Sequence, residues 1–232
     1  MDLKFFIGYD SKEDIAYRVC KYSLLKRASI NVKVISLKLD ELITKKLYTR
    51  NVDPLASTQF TYSRFLVPHL AEYNGWAVFC DCDFIFLDNI ANLVVNLDNS
   101  KAVYCVKHDY TPKEKHKMDG QKQTIYPRKN WSSFILYNCS HPSTKKLSVE
   151  TVNKESGAFL HQFKWCKDSE IGSLDERWNY LEGWTSSHNK KKPFAVHFTR
   201  GGPWFSEWQD VEFADEWKNE RDEYLSRKFN LK

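Results

Sequence analysis

The sequence predicts a single globular α/β domain, and three observations support this fold class. Of the 232 residues, 42% are hydrophobic and 28% are charged, which suits a packed core and argues against a disordered or collagen-like chain. The length fits one large domain, because domains usually span about 100–200 residues. The beginning of the chain alternates strand, helix and strand, the pattern of a βαβ unit with parallel strands.

The predicted βαβ unit starts with the apolar run Leu3 to Ile7, which Gly8-Tyr9-Asp10 closes as a loop. A helix follows, because apolar residues recur at helical spacing behind Asp10 or Ser11, either of which suits an N-cap. These apolar residues are Ile15, Val19, Tyr22 and Leu25. The segment Val32 to Leu37 predicts the second strand. The unit contains no GxGxxG loop, which argues against a dinucleotide-dependent oxidoreductase.

The middle of the chain predicts a helix and then a strand. Thr58 to Tyr73 has a helical pattern, in which Pro68 predicts a kink or a restart of the helix. After a turn at Asn74-Gly75, the segment Trp76 to Cys80 predicts a buried strand. The apolar pattern then continues over 81–87, where only two aspartates interrupt it.

The second half of the chain predicts shorter elements around a polar segment. Ala102 to Val106 and Ser133 to Tyr137 predict strands. Between them, Lys107 to Lys129 is rich in Lys, His, Gly and Gln and predicts a long mobile loop. The remaining predictions are a helix, a strand and a charged amphipathic helix, at 141–153, at 194–198 and from 206 onward.

Composition and charge narrow the classes of function. No apolar segment approaches the roughly 18 residues that a membrane helix needs, and Asp10 ends the first apolar run too early for a signal peptide, so we expect a soluble, cytoplasmic protein. The six cysteines lack the CxxC spacing of a zinc site and predict free thiols. A net charge of +5 suits anionic ligands but is low for a nucleic-acid binder. Aromatic residues make up 15% of the chain and suit stacking on sugars and bases, although most are expected in the core.

Asp81 and Asp83 are the first candidates for a functional site, because they interrupt an apolar run. Burying unpaired charges costs on the order of several kcal/mol, so such acids are usually paired or bound to a metal. They follow a predicted strand, at the edge where ligands bind in open α/β sheets, and strand alternation points both carboxylates the same way. Oxygen ligands of this kind favour Mg²⁺ or Mn²⁺. The alternative is that both acids cap a turn.

The second candidate is the segment His197-Phe198-Thr199-Arg200-Gly201-Gly202-Pro203-Trp204. A neutral imidazole at the end of a strand could be a third metal ligand. The arginine is a fork-shaped donor suited to a diphosphate, the two glycines allow backbone amides to approach an anion, and the tryptophan offers a stacking face. The alternative is a core histidine followed by an ordinary glycine turn.

In their order and spacing, these segments resemble the GT-A class of nucleotide-sugar-dependent glycosyltransferases, most nearly family-eight-like enzymes and a viral capsid-glycosylating relative. The resemblance covers most of the chain and is carried by four segments: Phe5 to Asp10, Tyr62 to Phe65, Phe79 to Asp83 and His197 to Gly201. It implies one Rossmann-like domain over 1–232, with a mixed, mostly parallel central sheet flanked by helices. The N-terminal half would bind the nucleotide and the C-terminal half the acceptor.

The resemblance also implies ligands and site residues. Asp81, Asp83 and His197 would bind Mn²⁺ or Mg²⁺, and the donor would be a nucleotide-sugar, expected to be UDP-linked. Tyr9 and Asp10 would lie beside the base and ribose, and the segment 130–133 would line the donor-sugar pocket. The full set of implied donor-binding residues is Gly8, Tyr9, Asp10, Arg64, Asp81, Cys82, Asp83, Trp131, Ser132, Ser133, Arg200 and Gly201.

The phosphate contact departs from the family pattern, and the need for a catalytic base depends on the stereochemical course. Family-eight enzymes place a lysine before the Pro-Trp pair, where this chain has Gly202, so the phosphate contact must come from Arg200 or be missing. An inverting enzyme needs a carboxylate to deprotonate the acceptor hydroxyl, and a retaining enzyme does not. The resemblance aligns the segment 174–179 with one near the sugar and acceptor. Asp175 in that segment is the candidate base, with Asp168 behind it, and the sequence leaves the stereochemical course open.

The expected function is therefore sugar transfer from a nucleotide-sugar to a hydroxyl of a glycan or glycoprotein. The same activity is compatible with a chain that is one domain of a larger protein. If the protein is viral, the expected location is the host cytoplasm. A glycoside hydrolase is an alternative, because paired carboxylates and many aromatic residues also suit sugar cleavage. A non-catalytic module that binds carbohydrate or protein through exposed aromatic residues is another. We expect no nucleic-acid partner.

Overall fold

The computed structural model describes residues 2–51, 58–109, 128–185 and 191–229. Its strands are β1 (Leu3–Gly8), β2 (Val32–Leu37), β3 (Trp76–Cys80), β4 (Phe84–Phe86), β5 (Val103–Cys105), β6 (Phe134–Asn138), β7 (Ile171–Ser173), β8 (Tyr180–Leu181) and β9 (Ala195–His197). Its α-helices are α1 (Asp14–Arg27), α2 (Leu39–Thr44), α3 (Val67–Leu70), α4 (Val149–Lys154), α5 (Gly157–His161) and α6 (Ala214–Phe229). Most of the predicted mobile loop, 110–127, lies outside the described residues.

The strands form two sheets. The larger has the order β2-β1-β3-β6-β5-β7, in which β6 runs antiparallel to both neighbours while the other pairings are parallel. The smaller has the order β4-β9-β8. The parallel pairing of β1 with β2 confirms the βαβ prediction, and the sheet as a whole confirms the predicted mixed, mostly parallel α/β fold.

The core lies on both faces of the larger sheet, since every residue of β6 and the last four residues of β3 are buried. Helix α1 packs against β4 and α6, but its buried face differs from the predicted one. Of the predicted apolar stripe only Val19 is buried, and Leu25 is 42% exposed. The helix is rotated so that Ser23 faces inward, where its Oγ accepts a hydrogen bond from the backbone N of Phe86 at 3.0 Å.

Three predicted helices are shorter than the sequence pattern suggested. The segment 58–73 forms a 3-10 helix, Ser63–Leu66, and then α3, with Pro68 in the first turn of α3 as the predicted restart. The segment 141–153 forms a 3-10 helix, Thr144–Lys146, and becomes α-helical only after Ser148, whose side chain caps α4 by accepting a hydrogen bond from the N of Thr151. The last helix begins at Ala214 instead of 206. Within the described residues, no helix is both long and apolar enough to cross a membrane.

The two sheets meet at the segment that follows β3. The backbone N of Asp81 donates to the carbonyl of Ser133 at 3.0 Å, which extends the pairing of β3 with β6 beyond the strand ends. Two residues later, the carbonyl of Asp83 accepts a hydrogen bond from the N of Phe198 at 2.9 Å, just after β9. The segment 81–83 is therefore held by the larger sheet on one side and by the smaller sheet on the other.

Candidate active site

Asp81, Asp83 and His197 come together at this junction and form what we call the acid–histidine cluster. Each offers a ligand atom, and these atoms lie within 4.8 Å of one another. Nε2 of His197 lies 3.3 Å from Oδ2 of Asp83. The strand register explains the encounter, because Phe84 of β4 pairs with His197 of β9. The structure thus brings together the three residues predicted to bind a metal.

The carboxylate oxygens of the two aspartates fit a divalent cation. Oδ1 of Asp83 is buried and has no hydrogen-bond partner among the described residues. Oδ1 of Asp81 contacts the Arg64 guanidinium at 2.8 Å, but as an ion pair without hydrogen-bond geometry. Buried polar atoms without partners are uncommon in folded proteins. The partnerless oxygen of Asp83, the Asp81 carboxylate and the adjacent imidazole together are a donor set suited to Mn²⁺ or Mg²⁺.

A second layer of contacts orients the histidine. Nδ1 of His197 lies 3.0 Å from Oδ1 of Asn179, and Nδ2 of Asn179 donates to Oγ of Ser133 at 2.9 Å. This second bond fixes the amide, so that Nδ1 of the imidazole carries the proton and Nε2 presents its lone pair to the cluster. The ring also stacks on Phe84, with centroids 4.4 Å apart. The resemblance placed Asn179 in a segment near the sugar and acceptor but gave its side chain no role, because a buried asparagine has no sequence signal of its own.

The cluster carries more negative charge than its cations balance. Burial raises the pKa of Asp81 to about 7, with Asp83 adding to the rise and Arg64 opposing it. Glu13, in the 3-10 helix Ser11–Glu13 before α1, is a further acid that sequence analysis missed. Burial raises the pKa of Glu13 to about 8, and Asp83, Asp10 and Asp81 contribute in that order. An added cation would relieve the repulsion among these groups.

Arg64, predicted to face the diphosphate or the sugar, lies beneath the cluster and is only 5% exposed. Besides the ion pair with Asp81, Nη1 donates to the carbonyl of Ser132 at 2.8 Å and Nε to the carbonyl of Phe60 at 3.3 Å. Its guanidinium also packs over the Phe79 ring. In this arrangement Arg64 holds Asp81 and the start of β6 in place.

The loop after β1 holds the residues predicted to contact the base and ribose. Oδ1 of Asp10 accepts from the N of Lys12 at 3.0 Å, and Oδ2 accepts from the N of Gln59 at 3.2 Å, so this carboxylate anchors two loops. Tyr9 donates its hydroxyl to Asp14 at 3.0 Å. Gly8 allows close packing, because a Cβ there would lie 2.5 Å from the Phe60 ring.

The segment 130–133 borders the cluster on the side of β6. Trp131 donates its indole N–H to the carbonyl of His108 at 3.0 Å, and the Arg128 guanidinium lies over its ring. Oγ of Ser132 lies 2.7 Å from Nδ1 of His161, and Oγ of Ser133 receives the bond from Asn179. His108, which sequence analysis missed, has a buried Nε2 that lacks a partner in the described ranges.

In the segment after β9, the arginine predicted to bind phosphate has a partner within the protein, and its role as phosphate contact stays a prediction. The Arg200 guanidinium makes a fork-shaped ion pair with the buried Glu182, at 2.8 Å from Nη2 to Oε1 and 3.2 Å from Nε to Oε2. It also packs over Trp208. A Cβ at residue 202 would lie 1.9 Å from the Trp204 ring, so this ring fills the space above Gly202. A lysine at 202 is therefore excluded by packing.

The structure does not place the two candidate bases in the cluster. Asp175 pairs with Arg177 at 2.6 Å, and this arginine covers the ring of Phe194, at the end of β9 opposite His197. The Asp168 side chain is 81% exposed and pairs with Arg128 at 2.5 Å. Their role as base stays a prediction.

By sequence, the chain is similar to a plant protein. It is 54% identical over 228 residues to Protein CDI from Arabidopsis thaliana, a match that covers 95% of this chain and 86% of that protein. No family model matches the chain.

By structure, the chain is similar to several solved glycosyltransferases. The TM-score is 0.68 to the bifunctional glycosyltransferase WbbM, at 17% identity over 97% of this chain and 51% of WbbM. It is 0.63 to GlyE of Streptococcus pneumoniae TIGR4, at 13% identity over 100% of this chain and 64% of GlyE. It is 0.51 to a glycosyltransferase involved in glycosylation of the major capsid of PBCV-1, at 11% identity over 97% of this chain and 100% of that one.

These likenesses confirm the GT-A fold that the sequence segments predicted, including the similarity to a viral capsid-glycosylating enzyme. The chain spans about half the length of WbbM and less than two thirds of GlyE. At these levels of identity the likeness establishes the fold, and a common fold can host different reactions.

Proposed function

The chain belongs to the family of Protein CDI from Arabidopsis thaliana, and because it also has the GT-A fold we propose that it is a metal-dependent glycosyltransferase. Its donor is a nucleotide-diphosphate sugar, expected to be UDP-linked, and its acceptor is a hydroxyl of a glycan or glycoprotein. The observation that carries the proposal is the acid–histidine cluster, where Asp83 has a buried carboxylate oxygen without a partner among the described residues.

Asp81, Asp83 and His197 are the residues that would hold Mn²⁺ or Mg²⁺. A divalent cation at this position supplies neutralisation of the charge that develops on a departing nucleoside diphosphate. The protein's own contribution is geometric. Arg64 fixes Asp81 from below, and Asn179 keeps the imidazole of His197 in the tautomer whose Nε2 accepts a cation.

The donor is proposed to lie along the edge of the larger sheet where β1 and β3 end and β6 begins. In that position Tyr9 is available to the nucleotide, and Trp131 and Ser132 to the sugar. The N-terminal half of the domain then binds the nucleotide, and the C-terminal half faces the acceptor. The cytoplasm is the expected location, and a larger parent protein is compatible with the partial coverage of WbbM.

A glycoside hydrolase agrees less well with the cluster. In such enzymes the two catalytic carboxyl groups lie about 5–5.5 Å apart for retention and about 6.5–9.5 Å apart for inversion. Ligand atoms of Asp81, Asp83 and His197 all lie within 4.8 Å of one another. Carboxylates so close to each other and to an imidazole suit a shared cation better than separate acid and nucleophile roles. No contact in the described residues favours a purely binding module.

The proposal is tested with a panel of UDP-, GDP- and ADP-sugars in the presence of Mn²⁺, with slow donor hydrolysis in the absence of acceptor as the readout. We expect one nucleotide-sugar to be hydrolysed, and hydrolysis to stop when EDTA removes the metal. Calorimetry with the matching nucleoside diphosphate should show binding that requires Mn²⁺. A folded protein that neither hydrolyses nor binds any member of the panel would contradict the proposal, and EDTA-resistant sugar cleavage would favour a hydrolase.

A further inference from the structure

The indole N–H of Trp204 makes no hydrogen bond of normal geometry within the described residues, and its one described interaction, with the carboxyl of Glu13, lowers the pKa of that acid. Its Nε1 is buried. Buried indole N–H groups usually find a partner, so an unpaired one calls for an explanation. An unoccupied ligand position is one such explanation, provided that the indole is fixed and lies near the site.

Packing fixes the indole. Its ring meets Phe198 edge-on, with centroids 5.8 Å apart at 84°, and lies 5.4 Å from the ring of Trp217 and 5.6 Å from that of Phe205. On a further side it covers Gly202, where any Cβ would overlap the ring. With aromatic rings and backbone on these sides, the indole cannot turn to find another acceptor without repacking this part of the core.

The indole also lies near the cluster, through its contacts with Phe198 and Glu13. Phe198, on which it packs, follows His197 directly and is hydrogen-bonded through its backbone N to the carbonyl of Asp83. The N–H group lies close enough to Glu13 to offset part of the rise in the pKa of that acid, and Asp83 is the charged group that raises this pKa most. Trp204 and Glu13 thus border the same side of the acid–histidine cluster.

The nearby arginines already have partners. Arg64 is paired with Asp81, and Arg200 is held in a two-point contact by Glu182. Residue 202 is a glycine, and the Trp204 ring fills the space that a side chain there would occupy. A ligand that brings anionic oxygens to a cation in the cluster would therefore meet the indole N–H as a preformed donor.

We propose that Trp204 donates a hydrogen bond from Nε1 to a phosphate oxygen of the sugar donor's diphosphate. This inference rests on the proposed function, because it takes the cluster to bind a metal–diphosphate complex. Since the indole is neutral, neutralisation of the diphosphate falls to the cation, and Trp204 orients the diphosphate.

The test compares Trp204→Phe with the wild type by calorimetry, using UDP, or whichever nucleoside diphosphate binds, and the corresponding nucleoside, both with Mg²⁺. Phenylalanine keeps an aromatic ring against Phe198 and Trp217 but removes the N–H. Loss of a hydrogen bond to a charged group should weaken diphosphate binding roughly tenfold or more, while the affinity for the nucleoside should stay unchanged. Trp76→Phe, the same substitution at the end of β3 away from the cluster, is the matched control and should change neither of the two affinities.

A second measurement does not depend on a variant that folds. In the wild-type protein, the indole N–H resonance of Trp204 should move downfield and exchange more slowly with solvent when the Mg²⁺ complex of the diphosphate is added. If the wild type binds the diphosphate but Trp204→Phe binds it equally well and the resonance does not move, this inference is wrong and the proposed function stands. If the wild type binds no nucleoside diphosphate with metal, both are wrong.

Discussion

The acids of this protein fall into two groups that differ in what surrounds them. In the acid–histidine cluster, Asp83 has a buried oxygen without a described partner, and burial raises the pKa of Asp81 to about 7 despite its ion pair with Arg64. At the other end of β9, Asp175 has an arginine of its own, and Arg177 lowers its pKa. The same residue type is thus prepared for a cation in one place and already neutralised in the other.

The 3-10 helix Glu176–Asn179 joins these two regions. Its cap, Asp175, accepts a hydrogen bond from the N of Arg177, while its last residue, Asn179, contacts His197. One short element therefore places a satisfied acid at one end and a ligand-orienting amide at the other. The partner of an acid, more than its position in a sequence motif, therefore indicates its chemistry.

Removing an acid of the cluster should have the largest effect. Asp83→Ala is expected to lower Mn²⁺-dependent hydrolysis of the nucleotide-sugar by at least about 1000-fold, because a ligand of the proposed cation is lost. Asp81→Ala should behave alike. Asp222→Ala, which removes an exposed acid of α6, is the control and should keep full activity. A folded Asp81→Ala/Asp83→Ala double variant that is active with Mn²⁺ would remove the distinction between the two groups of acids.

Breaking a neutralised pair should instead reduce stability. Arg200→Met leaves Glu182, whose side chain is 2% exposed, without its partner, and should lower the free energy of unfolding by about 3 kcal/mol. Arg177→Met is the control: Asp175 is 41% exposed, so the loss should stay below about 1 kcal/mol. Chemical denaturation measures both. Unchanged stability together with weaker diphosphate binding in Arg200→Met would instead support the predicted phosphate contact of Arg200.

The next effect is expected in the pH dependence of stability, which should differ between the acids of the cluster and the acids paired with arginine. Asp81 and Glu13 have a pKa of about 7 and about 8 in the folded protein, above their usual values, so each stabilises the metal-free fold while protonated. That contribution is complete below pH 4 and is lost as the pH rises through 7 and 8. Between pH 6 and 8 the metal-free protein should lose roughly 3–4 kcal/mol of unfolding free energy, and Mn²⁺ should restore most of it.

Thermal unfolding with and without Mn²⁺ at pH 6, 7 and 8 measures this dependence. The groups that face Asp81 and Glu13 are the side chains of Asp83, Asp10, Arg64, His197 and Trp204. If the metal shifts the midpoint equally at all three pH values, the raised pKa values of the cluster are wrong. Asp83→Ala provides the matched control, because it removes one source of the repulsion.

A smaller effect is expected from Asn179. Replacement of Asn179 by Ala removes the acceptor for Nδ1 of His197 and should weaken Mn²⁺ binding about tenfold, as for other residues that orient metal ligands. Asn179→Asp keeps an acceptor and should bind Mn²⁺ more tightly than the alanine variant. Calorimetric titration with Mn²⁺ compares the three proteins. Equal affinities would show that the amide does not orient the imidazole.

The smallest effect is expected from Asp175→Asn. Because Arg177 already neutralises this exposed acid, hydrolysis of the donor and sugar transfer to an identified acceptor should change less than about fivefold. A loss of transfer of about 100-fold, with unchanged affinity for Mn²⁺, would instead support the predicted role of Asp175 as the base. Stability measured in parallel distinguishes that loss from misfolding.

Much of this organisation follows from sequence because strong local signals mark it. Asp81 and Asp83 stand out since they interrupt an apolar run, and the segment from His197 to Trp204 stands out by its glycines and aromatic residues. The first βαβ unit follows from periodicity alone. These signals are local, and a single sequence contains them in full.

The parts that escaped prediction depend on tertiary contacts. Glu13, His108 and Asn179 have no motif, and each matters because folding places it against the cluster or its border. The strands β7 and β8 have only three and two residues, too few for a periodic pattern. The ion pair of Arg200 with Glu182 also depends on tertiary contacts, because no sequence pattern links these two distant residues.

The position of the cluster between two sheets has a consequence for how the domain holds together. Asp81 and Asp83 leave the end of β3, while His197 ends β9, far along the chain. A shared ligand there would act as a noncovalent crosslink that closes a long loop, and its binding would favour the joined state of both sheets. Amide protons of β9 should then exchange with deuterium more slowly when manganese is present, so that loading of the centre can be followed in the backbone.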